Sequence, residues 1–441
     1  MHRANFRTYW YETMRYFLIT FFLFTGFYSF PQQSSLLWEI SGKELKKPSY
    51  LYGTMHVQDA RVFQFGDSVL PAFERCEAFA GELLVDNSNP MAMMKYIMMP
   101  KDTTLSMLLN EEEYKLVKEK AEEKLGFLAP MIDKIKPFFT SAMLAEMEFQ
   151  SDSMTSLDDY FQKLGKEQGK KLIGIETAAE QITALDKTSL NEQAKMLVES
   201  LQDEDKYDRM IDDMFEIYLS QDLDKLEKFM NESGLSQVTT KSILIDRNKV
   251  MTERIDTIIQ KRPTFIGIGA AHLGGKEGVI KGLEEIGYTV KPIYSKFSPK
   301  VAAEVKKDEN GWFVFETKEY QTSFPVSFKK TNNENTLFMM AIEPGGSLYT
   351  VTEGEYQGKA SKFIKNKLKE YKVEGIKVLE SRKFMANEIP ALEVTIEKGT
   401  FFMTTTYYCL NEKYVEMTVT GKMEDRKSEK VTMFFQSFRK K

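Results

Sequence analysis

The chain holds three histidines, and two of them close copies of one short pattern. Gly53-Thr54-Met55-His56 and Gly269-Ala270-Ala271-His272 both read Gly-x-x-His. Each follows an apolar run of strand character, Tyr50-Leu51-Tyr52 before the first and Phe265-Ile266-Gly267-Ile268 before the second. Imidazole titrates near neutrality and is a common metal ligand, so the chemistry on offer is proton transfer or metal binding. Two imidazoles leaving matching strand ends, far apart in sequence, read as two halves of one site. The leading glycine permits a tight turn or a positive φ, which would aim the next residues over the sheet edge. Ligands of open α/β sheets bind there, outside the carboxyl ends of the strands. The plainer alternative is that each histidine only hydrogen-bonds a loop.

Carboxylates in apolar surroundings come next. Glu82, within Ala80-Gly81-Glu82-Leu83-Leu84, stands at the end of a strand expected over residues 78–85 and otherwise suited to burial. A buried carboxylate must be paired, protonated or metal-bound; an exposed position or a structural ion pair is the alternative. Glu176 occupies the analogous place after Leu172-Ile173-Gly174-Ile175, with Glu180 and Gln181 one helical turn later. Helical spacing puts Glu176 and Glu180 on one face near a positive helix end, where an acid is often no more than a favourable dipole contact. Arg247-Asn248, on a helix expected from residue 241, offers a cation for a carboxylate or a polarised carbonyl, against the alternative of a solvated surface arginine. Other constellations fail: there is no Gly-x-Ser-x-Gly elbow and no His-Glu-x-x-His helix. Gly267-Ile268-Gly269-Ala270-Ala271-His272 begins like a dinucleotide loop, but histidine replaces its third glycine. Cys76 has no histidine beside it in sequence and reads as packing.

The elements that must hold these residues alternate between strand and helix. Short strands are expected at 36–40, 49–53, 78–85, 171–175, 263–268 and 288–293. Between them lie helices at 68–75 (capped by Asp67), from 177, over 191–260 and at 276–286. This is an α/β pattern: a two-half mixed sheet flanked by helices, with the mostly helical stretch 89–166 as a cap over the strand ends. Beyond residue 300 the period changes to two. Segments 311–315, 320–328, 336–342, 391–396, 401–408, 414–420 and 431–438 read as strands, with one helix at 359–370. A separate antiparallel α+β domain follows, without a histidine, and binding or scaffolding is its default role. The expected division is 1–33, 34–296 and 297–441.

His2, Arg3, Arg7 and Arg15 lead into an apolar run over residues 16–30, which has the form of a signal peptide with a processing zone at 29–33. A retained anchor is the competing reading and would keep the chain close to a membrane. Either way the expectation is export, to a periplasmic, extracellular or membrane-anchored position. A formal charge of -5, from 60 basic and 65 acidic residues, gives no polyelectrolyte signal and argues against a nucleic-acid partner. Two distant cysteines, Cys76 and Cys409, build neither a disulfide framework nor a Cys-x-x-Cys zinc site.

Taken in order, Tyr52-Gly53-Thr54-Met55-His56, the strand bearing Glu82, Gly174-Ile175-Glu176-Thr177 with Glu180-Gln181, Arg247-Asn248, and Gly267 through Gly269-Ala270-Ala271-His272-Leu273 resemble the TraB/PrgY/GumN family. That family includes the TIKI proteins and is related to the erythromycin-esterase and ChaN-like folds. The resemblance, over about residues 36–293, implies an α/β fold of two related halves, each contributing one Gly-x-x-His. It further implies either the metal-dependent proteolysis described for TIKI members or the histidine/glutamate activation of water used by the esterases. At matching positions His56, Glu82 and His272 become candidate metal or water ligands, and Glu176 and Arg247 supporting polar groups. The strand Phe324-Pro325-Val326-Ser327-Phe328 and the sheet-helix-sheet order around it resemble PsbP/MOG-type α+β domains.

The expected function is therefore an exported, metal-assisted hydrolase, with a peptidase as the leading reading, acting on a peptide or small-molecule substrate. A divalent manganese, cobalt or zinc ion would be held by His56, His272 and a carboxylate. Imidazole and carboxylate ligands do not choose among these metals, and sequence leaves open whether Glu82 or Glu176 is ligand or base. Two alternatives stand beside it: a non-catalytic protein that sequesters a peptide or signal molecule, and a metal-free histidine/glutamate esterase.

Overall fold

A computed structural model describes residues 35–84, 90–100, 102–148, 155–232, 236–295, 306–333, 336–372 and 376–441. The leader over residues 1–33 lies outside the described residues, as does the boundary near residue 297. No helix among the described residues is long and apolar enough to cross a membrane.

Six strands form the first sheet: β1 (Leu37–Gly42), β2 (Ser49–Thr54), β3 (Ala78–Gly81), β4 (Lys171–Gly174), β5 (Thr264–Gly269) and β6 (Tyr288–Pro292), in the order β4-β3-β5-β2-β1-β6. Strands β4, β3, β5 and β2 run parallel, while β1 is antiparallel to both β2 and β6. Every residue of β2 and β5 is buried, as parallel strands covered on both faces require. Alternation along the strands divides the core. Tyr50, Tyr52, Phe79 and Phe265 enter one cluster, and Leu51, Ala80, Ile266 and Ile268 enter the other. The register places Tyr52 and Gly81 opposite Gly267, Thr54 opposite Gly269, and Gly81 opposite Gly174. The carboxyl ends of all four parallel strands therefore finish at one edge.

Two helices fix what faces that edge. Leu157–Glu167 is nailed to the sheet by Leu157 and Phe161, one turn apart and both fully buried. The Phe161 ring stacks on Phe73 at 5.5 Å and meets Phe265 at 5.2 Å. On the other face Asp246–Ile259 buries Met251, Ile255 and Ile259. It is entered through a π-helical turn, Lys241–Ile245, whose extra residue re-phases the helix at a place where π turns often mark function.

Several expectations are corrected. The strand expected over 78–85 stops at Gly81, so Glu82 sits in the bend beyond it; residue 85 is outside the described residues. Asp67 does not cap the next helix: Val69–Glu74 follows Ser68, with no side-chain cap bond. The helices between 90 and 148 build a core of their own with Leu190–Gln202, and within the insert Leu157–Glu167 packs directly on the sheet.

The C-terminal part is antiparallel. A seven-stranded sheet, in the order β12-β13-β14-β15-β11-β10-β9, comprises β9 (Lys329–Asn333), β10 (Thr336–Ile342), β11 (Leu348–Glu355), β12 (Lys377–Ala386), β13 (Ile389–Lys398), β14 (Phe401–Leu410) and β15 (Lys413–Lys422). A small sheet joins β7 (Phe313–Glu316), β8 (Tyr320–Phe324) and β16 (Arg439–Lys440). The segment expected as a strand at 431–438 is instead the helix Glu429–Gln436. Ser428 caps it by accepting from the Val431 N–H, and Val431 and Phe434, three apart, both turn to the core.

Candidate active site

The four parallel strand ends deliver His56, Glu82, Glu176 and His272 to one place. Glu82 is the hub, although it is buried. Its Oε2 accepts from the Gly269 N–H (3.1 Å) and lies 3.2 Å from His56 Nε2. Its Oε1 accepts from Gln181 Nε2 (3.0 Å) and from Arg247 Nη2, and lies 3.9 Å from His272 Nε2. Both imidazoles thus turn the same nitrogen toward one carboxylate.

Glu176, also buried, stands one step away and touches neither imidazole within these contacts. It takes the Arg247 guanidinium through Nε, at 3.2 and 3.0 Å to its two oxygens, and through Nη2 at 2.6 Å. Arg247 therefore bridges both carboxylates, and its Nη1 donates to the Ile243 carbonyl (3.0 Å) within the π turn. Glu176 and Glu180 do not share a face. Glu180 completes a capping box with Thr177 and pairs with Arg254 at 2.6 Å, because a helix begins between the two acids.

Each imidazole has its own backing. His56 Nδ1 lies 2.7 Å from Asp158 Oδ2, and Asp158 Oδ1 accepts from Thr54 Oγ1 (2.9 Å). With an acid on each nitrogen, both ring N–H groups donate. Burial disfavours the charged ring, but the hydrogen bonds and charges of Asp158 and Glu82 outweigh it and push the His56 pKa up to about 10. His272 Nδ1 lies 2.6 Å from Asn248 Oδ1, and Asn248 Nδ2 donates to the Glu277 carbonyl (2.8 Å). Since that amide nitrogen is used, its oxygen faces the ring, His272 Nδ1–H donates, and Nε2 keeps a lone pair. Burial dominates at His272 and, with the charges of Arg247 and His56, brings its pKa down to about 4 against the pull of Glu82. The side chain of His56 is 53% exposed and that of His272 only 6%, so a ligand arrives from the His56 side. Burial tends to raise the Glu82 pKa, yet the hydrogen bond from His56 and the charges of His272, His56 and Arg247 hold it well below the usual carboxylate range.

The motif glycines act by close approach, not by positive φ. Gly269 has φ -52, and Gly53 is likewise outside the left-handed region. A Cβ on Gly53 would meet the Ala270 Cβ at 3.0 Å and Leu36 Cδ2 at 3.1 Å. A Cβ on Gly269 would lie 3.4 Å from His56 Nε2, 3.5 Å from Glu82 Oε2 and 3.5 Å from His272 Cδ2. That point lies against an imidazole nitrogen, a carboxylate oxygen and a ring carbon of the second imidazole, and two histidines with one glutamate are a donor set that suits a divalent ion. Among the described residues, however, no three His, Cys, Asp or Glu side chains already stand as a metal-binding group.

The expected residues His56, Glu82, Glu176, Arg247 and His272 converge here. Asp158 was not singled out by sequence. In Ser156-Leu157-Asp158-Asp159 it has the ordinary look of a first-turn acid after a serine cap, and Ser156 does accept from the Asp159 N–H. Asn248 was noted beside Arg247 without its role, and Gln181 without its bond to Glu82. Cys76 is buried in the core, and burial pushes its thiol up to about 12, which suits packing and not nucleophilic attack.

The chain is similar to several known proteins. The metalloprotease TIKI homolog of Nematostella vectensis is 25% identical over 326 residues, covering 60% of this chain and 68% of that protein. Metalloprotease TIKI2 of Danio rerio is 22% identical, covering 70% of this chain and 71% of its own. For human metalloprotease TIKI1 the figures are 23%, 74% and 76%. Among solved structures, cyanobacterial PsbP from Synechocystis aligns with 33% of this chain and 98% of its own, at 10% identity and a TM-score of 0.24, too slight a likeness to carry an argument. A model of the TraB/PrgY/gumN family matches residues 36–292, which hold the whole first sheet and every residue of the site. With more than half of its length matched, the chain belongs to the TraB/PrgY/gumN family.

Proposed function

We propose that the protein is a metal-dependent hydrolase of peptide bonds that works outside the cytoplasm. The observation that carries this reading is the convergence of His56 and His272, from two adjacent parallel strands, on the single carboxylate of Glu82. These three residues would hold the ion, and the metalloprotease names of the relatives support that use. When bound, a divalent ion supplies a Lewis acid and a water of lowered pKa. The chain's own groups do the rest. Asp158 and Asn248 fix the orientation of the two rings, as partners behind metal-binding histidines do. Arg247 presents a guanidinium beside the site, suited to negative charge that develops on a carbonyl oxygen, and Glu176 keeps it there. The basic and apolar residues 2–30 support export.

The test uses purified protein with manganese, cobalt or zinc and a peptide library read by mass spectrometry. Metal-dependent cleavage is expected, together with a gain in thermal stability on adding the ion. Both should disappear in His56→Ala and in His272→Ala. An unchanged metal response in both variants contradicts the reading, and stoichiometric peptide retention without products favours sequestration. The Asp158–His56 pair gives a second reading some support, since an imidazole backed by a carboxylate can shuttle a proton without a metal. In that case chelation leaves hydrolysis intact.

A further inference from the structure

We infer that Arg247 competes with a divalent ion for Glu82, and that Glu176 is the carboxylate that holds Arg247 when Glu82 is given up. This rests on the metal reading above. A carboxylate offers about four lone-pair directions. All four on Glu82 are taken: the Gly269 N–H and His56 on Oε2, Gln181 and Arg247 on Oε1. An ion held by His56 would replace the His56 N–H on Oε2, and an ion reached by His272 on the Oε1 side meets the donors already there.

On Oε1, Arg247 is the donor built to leave. Its Nη2 alone is shared with Glu82, whereas Nε and Nη2 together grip Glu176. A small displacement frees Glu82 and keeps the guanidinium paired, so no buried charge is stranded. The Gly269 N–H, by contrast, belongs to the strand end and cannot swing away. Arg247 is mostly buried and remains close by, where its positive charge opposes that of an arriving cation. In the metal-free protein the guanidinium thus does the ion's electrostatic work at Glu82. Metal affinity is set by the balance between two acids competing for one arginine.

The test is isothermal titration of the chelator-treated full chain with manganese, cobalt or zinc alone, alongside cleavage assays. Arg247→Gln is expected to bind the ion about tenfold more tightly, within the span over which groups surrounding a metal site act. Glu176→Gln, which leaves Arg247 only Glu82 to hold, is expected to bind about tenfold more weakly by the same measure. Arg247→Lys keeps the charge but loses the planar fork that spans both acids. It should also bind more tightly than the unaltered chain, and it carries the test if the glutamine variant does not fold. Equal or weaker binding by both arginine variants, with metal-dependent cleavage intact in the unaltered chain, overturns the competition alone. Chelator-insensitive cleavage with no binding by any variant overturns the metal reading and the competition with it.

Discussion

The two Gly-x-x-His segments leave adjacent strands with the same spacing, yet what stands behind each imidazole differs. His56 is backed by a carboxylate, Asp158, on a helix held to one face of the sheet by Phe161. His272 is backed by an amide, Asn248, on a helix packed against the other face. The carboxylate keeps His56 charged, with its side chain half open to solvent; burial keeps His272 neutral, and the amide holds its proton on Nδ1 so that Nε2 offers a lone pair. Equal motifs therefore do not mean equal roles. The motif sets where a ring emerges; its burial and the partner from a distant helix set its protonation.

The largest effects should come from removing either ring. His56→Ala and His272→Ala are each expected to lower metal-dependent cleavage by more than about 100-fold, since loss of a group merely behind a ligand already costs 10–100-fold. Initial rates at saturating metal measure this. A variant that keeps most of its activity would remove its histidine from the site.

Exchanging the partners sharpens the comparison. Asp158→Asn should bring the His56 pKa down from about 10, and Asn248→Asp should lift that of His272 from about 4. Each change should cost about 10–100-fold in metal affinity or rate. Stability is expected to fall little in either, in contrast to Phe161→Ala, which removes a buried ring and should cost about 3–5 kcal/mol. Denaturant titration separates the two kinds of variant.

Stability against pH should show the same division in the metal-free protein. His56 has its pKa raised by folding, so its contribution is fully present below about 6.5 and is lost as pH climbs toward about 10. His272 has its pKa lowered. Between about 6.5 and about 4 the unfolded chain binds the extra proton, and stability falls as pH falls. Melting profiles of His56→Gln should flatten on the alkaline side, and those of His272→Gln on the mildly acid side. Matching profiles for the two variants would erase the distinction. The smallest structural effect is expected of Gly269→Ala. Its added methyl makes ordinary contacts at 3.4–3.5 Å, so the melting temperature should hold while the metal-induced gain disappears.

What could be read beforehand follows from how local each signal is. His56 and His272 stood out because apolar runs and glycines mark strand ends in a few consecutive residues. Glu82 stood out because a charge in an apolar run needs a reason. Asp158 carried no such mark: its nearest site partner in sequence, His56, is 102 residues away, and a first-turn acid is common on any helix. The glycines' purpose is hidden from sequence for a similar reason. Close approach depends on Ala270 and Leu36 across the sheet, whereas positive φ is a property of one residue. In the C-terminal part, the strand expected at 431–438 failed because short apolar runs suit either period. The cap at Ser428 was the deciding signal.

Everything above turns on the two imidazoles holding different protonation states in one metal-free site. Nitrogen NMR of the chelator-treated protein at pH 7.5 tests it most directly, because the chain contains just one other histidine, His2. The predicted spectrum has His56 protonated on both nitrogens and His272 neutral, with its proton on Nδ1. Two rings titrating together near 6.5, each neutral at pH 7.5, would contradict it.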